Sequence, residues 1–337
     1  MNSALLCRTG DGRPRELPPG VAVYVWSGKG LRHAWAGSRD VLVRAQPPIV
    51  ILHGPPSSIT SAHFAGVVAD VRAQLPNARI WLGVGGDGFA AQYRAGKVSA
   101  AQVVAPLVAC AAVAHAHGFE LILWDFEAAW KRAPKTDVRS RDELYALAKR
   151  VITEGAAAAP DSVHGLVCYD IPTLHTAFPW SAFFNDTPVS LFAYMAYSAD
   201  GTPDVGELLR RVAWAKREQE KAEGRGLIPD DVSPDVPGDV DRVPTVQLHG
   251  VAQRDLVTVL AEHTHALAWT LPLIADGGRA DAAGVQALEA ALCLRRQVGG
   301  GPGAVARFQA RAGLEADGIV GPKTLGKLEA QRKGLAP

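Results

Sequence analysis

The stretch FELILWDFEAAW, Phe119 to Trp130, places a short apolar run before an acidic end, with helix-length patterns on both sides at Ala100 to His117 and Arg141 to Ala158. A short β-rich run between helical patterns is the sequence form of a βα unit in a parallel sheet. Seven further runs have the same form: VAVYVW (Val21 to Trp26), IVILHG (Ile49 to Gly54), RIWLGVGG (Arg79 to Gly86), HGLVCYD (His164 to Asp170), VSLFAYMAY (Val189 to Tyr197), TVQLHG (Thr245 to Gly250) and HALAWTLP (His265 to Pro272). Eight such strands suggest closure. The expected fold is therefore α/β, a (β/α)8 TIM barrel, followed by a small helical C-terminal domain.

Helical spacing of apolar residues also appears at Ala62 to Leu75, Val205 to Glu223 and Arg254 to His263, which would complete the outer ring. Ile228 to Arg242, rich in Pro and Asp and without periodicity, reads as a long loop. The Gly-rich QVGGGPG, Gln297 to Gly303, reads as a hinge. The expected domains are residues 1–297 for the barrel and 298–337 for the tail.

The chain has 337 residues, 48% hydrophobic and 20% charged, which is globular composition. Lys plus Arg number 35 against 34 Asp plus Glu, so no global field selects nucleic acid or an anionic membrane as partner. Cys7, Cys110, Cys168 and Cys293 are far apart, and the 10 His show no ligand spacing beyond His115 with His117 and His263 with His265. Neither a metal nor another cofactor is expected. MNSALLCRTGDGRPRELPPG lacks the apolar core of an export signal, and no run reaches the roughly 18 apolar residues of a membrane span.

In a barrel of this kind the chemistry sits at the C-terminal ends of the strands. Strand alternation points Asp125 and Glu127 to the same side of the fourth strand's end. Two close carboxyls cannot both ionise easily, so one holds a proton at neutral pH and can act as an acid. The plainer reading has one of them capping the next helix or pairing with Lys131.

With these strand ends the chain resembles glycoside hydrolase family 18, the chitinase and endo-N-acetylglucosaminidase family, over most of Val21 to Pro272. The family signature D-x-x-D-x-D-x-E ends here in Asp125 and Glu127, while Glu120 and Leu123 stand where it has its two earlier Asp residues. The resemblance implies Glu127 as general acid, with Asp125 and Tyr197 stabilising the substrate acetamido group as it attacks the anomeric carbon. Such substrate assistance is an exception to the usual paired-carboxylate scheme and needs an N-acetylated sugar. WLGVGG is similar to the family's S-x-G-G strand end, which brings in Gly85 and Gly86. Met195 and Tyr197 match the strand-six M-x-Y, and Trp269 matches the tryptophan that floors the sugar-binding cleft. Gln247, His249, Tyr169, Asp170 and His53 are further strand-end groups that could line the cleft.

The tail FQARAGLEADGIVGPKTLGKL resembles a three-helix peptidoglycan-binding module through Phe308, Gln309, Gly313, Leu314, Asp317, Gly318, Gly321, Pro322 and Thr324. Its first helix would lie within 282–296, which the barrel also needs as its eighth. Together the two resemblances imply a hydrolase of β-1,4 bonds next to N-acetylated sugars, with peptidoglycan, or another N-acetylglucosamine polymer, as partner. It would act in the cell wall, extracellular or periplasmic, as an endolysin does, by an export route the chain does not show. A family 25-like muramidase is the rival enzyme, although VAVYVWS lacks the acidic residue its first strand usually carries. A catalytically inactive glycan-binding barrel is the rival from another class, motivated by Leu123.

Overall fold

The structure is a computed structural model that describes residues 5–18, 20–131, 137–169, 178, 186–195, 244–248, 265–268, 282–300 and 303–334. The runs expected to be strands are β3 (Gly20–Val25), β4 (Ile49–Gly54), β5 (Arg79–Gly85), β6 (Leu121–Asp125), β7 (Val163–Tyr169), β8 (Val189–Met195), β9 (Pro244–Leu248) and β10 (His265–Ala268). They close into one barrel in the order β10-β3-β4-β5-β6-β7-β8-β9, each paired in parallel with its neighbours.

Alternation along each strand sorts the core into two shells. Ile51, Trp81, Leu121 and Leu123 fill the barrel interior. Val50, Leu82, Ile122 and Trp124 face outward and pack with residues of the surrounding helices, such as Trp35, Val68, Leu107 and Val151. These helices are α1 (Leu31–Ala45), the short α2 (Pro56–Ile59), α3 (Phe64–Gln74), α4 (Asp87–Arg94), α5 (Ala100–Ala116) and α6 (Arg141–Ala158). Capping boxes start α5 and α6: Ser99 pairs reciprocally with Gln102, and Ser140 with Glu143. The helical stretches Val205 to Glu223 and Arg254 to His263, and the loop Ile228 to Arg242, lie outside the described residues.

The first residues, read above only for an export signal, form an antiparallel pair, β1 (Leu5–Arg8) and β2 (Pro14–Leu17). The pair sits at the N-terminal ends of β7 and β8. Ser190 Oγ accepts from Arg8 N at 3.0 Å and donates to Arg8 O at 2.9 Å, and Gly10 N donates to Ser162 O. Cys7, Cys110 and Cys293 are buried free thiols, and burial pushes the first two up to about 12.

Helix α7 (Ala282–Val298) packs on α1 on one side and on α8 (Ala304–Arg311) and α9 (Pro322–Gly334) on the other. Arg44 lies 3.7 Å from the buried Glu289, and Arg296 Nη1 donates to Ala45 O. The same helix thus covers the barrel and supports the tail. In the tail, buried Gln309 acts as a hub. Its Nε2 donates to Asp317 Oδ1 at 2.7 Å, Ile319 O at 2.9 Å and Thr324 Oγ1 at 3.1 Å, and its Oε1 accepts from Gly318 N. Gly318, at φ +73°, turns the chain, so the F-Q, D-G and T positions of the tail motif are one hydrogen-bonded unit. Among the described residues no helix is long and apolar enough to cross a membrane.

Candidate active site

Leu121 and Leu123 point into the barrel, and the same alternation aims Asp125, the last residue of β6, into its C-terminal mouth. Trp124 and Phe126 point the other way, and the Phe126 ring stacks on Trp130 at 4.1 Å between centroids. The backbone beyond the strand is clamped by a residue that sequence reasoning did not single out. Asp87, first in α4, accepts from Glu127 N at 2.8 Å and from Ala129 N at 3.3 Å. The far end of α4 holds the same loop, since Arg94 donates to Ala129 O at 3.0 Å and pairs with the enclosed Asp137 at 2.9 Å. Asp87 follows the glycine pair directly in VGGDG, and that position, just past a barrel strand at the start of a helix, was the available signal.

Three carboxyls therefore converge at the mouth. Burial raises Glu127 most, the charges of Asp125 and Asp87 add to it, and a hydrogen bond with Asp125 completes the rise from 4.5 to about 8. Asp87 is also raised, chiefly by burial and further by Asp125, against the lowering effect of the two backbone N–H groups and Arg94. On its other side Asp125 Oδ2 lies 2.9 Å from His53 Nε2. At neutral pH the site can thus hold a proton on Glu127 beside a hydrogen-bonded carboxylate, which suits general-acid chemistry.

The glycines have local tasks. A Cβ on Gly86 would meet Phe126 Cε1 at 2.4 Å, so Gly86 makes room for Phe126, and its N–H donates to Asp125 O at 3.2 Å. A Cβ on Gly85 would only touch Gly54 and His53 at 3.7 Å or more. Tyr169 and Met195 end β7 and β8, and Gln247 is next to last in β9, so their backbones reach the same rim. Asp170, Tyr197, His249 and Trp269 lie outside the described residues. Among the described residues no cluster of His, Cys, Asp and Glu could hold a metal ion.

Comparison with known families separates the two ends of the chain. Residues 303–328 match the family described as a putative peptidoglycan binding domain. No curated protein matches the chain. Among solved structures, a family 39 glycoside hydrolase from the gut symbiont Bacteroides cellulosilyticus WH2 is similar with a TM-score of 0.51 at 9% identity, over 85% of this chain and 64% of that one. The chain thus spans just under two thirds of that enzyme's length. An endo-1,4-β-mannanase from Eisenia fetida (TM-score 0.48, 10% identity, 85% and 95% covered) is also similar. So is an old yellow enzyme homologue from Zymomonas mobilis (0.46, 12%, 82% and 91%). Likeness at such identities shows the barrel and leaves the chemistry to the site.

Proposed function

We propose that this chain is a cell-wall glycan hydrolase that cleaves β-1,4 bonds next to N-acetylated sugars of peptidoglycan, with Glu127 as general acid. The observation that carries the reading is the half-buried Glu127, raised to about 8 beside Asp125 at the C-terminal end of the fourth barrel strand. The match of residues 303–328 supports peptidoglycan as the polymer and the cell wall as the place of action.

In this reading Glu127 protonates the glycosidic oxygen as the bond to the leaving sugar breaks. The acetamido oxygen of the sugar on the other side attacks the anomeric carbon and forms a cyclic intermediate, which water then opens while Glu127 takes a proton back. Asp125 Oδ1 is enclosed and takes no hydrogen bond from a fixed N–H or O–H donor among the described residues. It can therefore receive the acetamido N–H or the proton of Glu127, which is the task the family resemblance assigns to Asp125. Tyr197, Met195 and Trp269, with Gly85, Gly86, Gln247, Tyr169 and Asp170, complete the proposed cleft.

One observation favours the inactive-barrel reading: Leu123, in the place of a signature carboxylate, is fully buried among apolar neighbours. Digestion of purified peptidoglycan, with reducing ends read by mass spectrometry after borohydride reduction, decides between them. Reduced N-acetylglucosamine ends that vanish in Glu127→Gln support the proposal, and reduced muramic acid ends favour the muramidase. Binding to the wall without new ends overturns hydrolysis.

A further inference from the structure

In family 18 the carboxyl two residues before Asp125 would share its proton, and here that place is Leu123, in the barrel interior. A partner arrives instead from two strands away. His53 is the third inward residue of β4 after Ile49 and Ile51, and β5 separates it from β6. The register sets His53 beside Gly83 and Gly85 beside Asp125. A Cβ on Gly83 would lie 2.5 Å from His53 Cδ2, so a side chain there would fill the path that the imidazole takes across β5. Tyr24, on β3, packs edge-on against the ring at 5.8 Å between centroids. The result is a titratable side chain only 5% exposed, with Nε2 2.9 Å from Oδ2 of an Asp125 that is 11% exposed.

We propose that His53 is the positioning residue of this site, its Nε2 set 2.9 Å from Asp125 Oδ2 as an ion-pair contact, and so taking over the task of the carboxyl absent at Leu123. The inference rests on the hydrolase reading above and names a residue through which Asp125 acts. An imidazole differs from a second carboxyl in one respect: it pairs with Oδ2 without two carboxyls having to share a proton, and leaves Oδ1 to the acetamido N–H. Among the described residues, the other charged groups that interact with Asp125 are Glu127, just past its own strand, and Asp87 on α4, which Arg94 in turn acts on from the far end of that helix.

The test uses the full chain in two measurements. On peptidoglycan, His53→Ala is expected to lose kcat by about tenfold or more with KM little changed, and His53→Gln, which keeps an N–H donor, to recover part of it. The acid limb of kcat/KM is expected to move to higher pH in His53→Ala and to move less in His53→Gln, a change that a purely structural loss would not produce. In 15N-histidine spectra of the wild type, His53, assigned by its absence in His53→Gln, is expected to carry its proton on Nε2 and to change on Asp125→Ala. An Nε2 without a proton, or a His53→Ala enzyme with wild-type kcat and pH profile, overturns the proposal. If the wild type releases no reducing ends, the hydrolase reading fails, and the spectrum alone then decides whether His53 holds Asp125. If His53→Ala does not fold, His53→Gln and the wild-type spectrum still decide it.

Discussion

At the scale of single residues, the site turns on a carboxyl kept neutral where water would ionise it. Glu127 is raised from 4.5 to about 8 on folding, so the folded chain keeps a proton that the unfolded chain releases between those values. Stability is therefore lost as pH rises from 4.5, and the loss is complete above about 8. Glu127→Gln, which mimics the neutral form, is expected to melt near the wild type at pH 4.5 and to be more stable by on the order of 4 kcal/mol at pH 8, in melts across that range. Asp87 contributes to the same rise through its charge. In Asp87→Asn the alkaline limb of kcat/KM is expected to move down by about half a unit to one unit, because one raising charge is gone while an acceptor for Glu127 N remains. A limb that stays in place would show that burial and Asp125 suffice.

At the scale of elements, β5, α4 and the loop after β6 form one piece. Gly86 links β5 to α4, the two ends of α4 hold that loop through Asp87 and Arg94, and Phe126 fills the space that Gly86 leaves. Gly86→Ala places a methyl group 2.4 Å from a ring carbon already stacked on Trp130, so overpacking is expected to cost roughly 1 to 3 kcal/mol. Because the strain falls one residue from Glu127, activity is expected to drop more than the stability loss explains, measured as kcat at a temperature where the variant is folded. Gly85→Ala, with contacts no closer than 3.7 Å, serves as the control.

At the scale of the whole molecule, α7 joins the barrel to the tail. Its buried residues Leu288, Ala291 and Leu292 belong to the same apolar cluster as Trp35 and Leu42 of α1 and Val305 and Phe308 of α8. Chains truncated after residue 298 are expected to melt several degrees lower than the full chain, since one face of α7 would lose its cover. A tail tethered by a slack linker would leave the melting point of the barrel unchanged. The Gly-rich QVGGGPG, read from composition as a hinge, overlaps the end of α7, and Gln297 within it donates to Gln331 of α9 at 2.6 Å.

The eight strands, and Asp125 with Glu127 at a strand end, were legible in the sequence, because each depends on spacing within one short segment. Alternation with a period of two sets which face Asp125 takes, whatever its neighbours are. The pair β1 and β2 was not legible, because four-residue strands lack enough period to read and are held by Ser162 and Ser190 far along the chain. Asp87 and His53 were hidden or weak for the same reason. What makes Asp87 a clamp is the parallel register that lays the end of β5 beside β6, and what makes His53 a neighbour of Asp125 is a glycine on the strand between them. Barrel closure brings together residues 40 to 72 positions apart, so the sequence alone determined the barrel and its two candidate carboxyls. The partners that set their charge were decided only by the tertiary structure, because hydrogen bonding and desolvation act across space and leave no periodic trace along the chain.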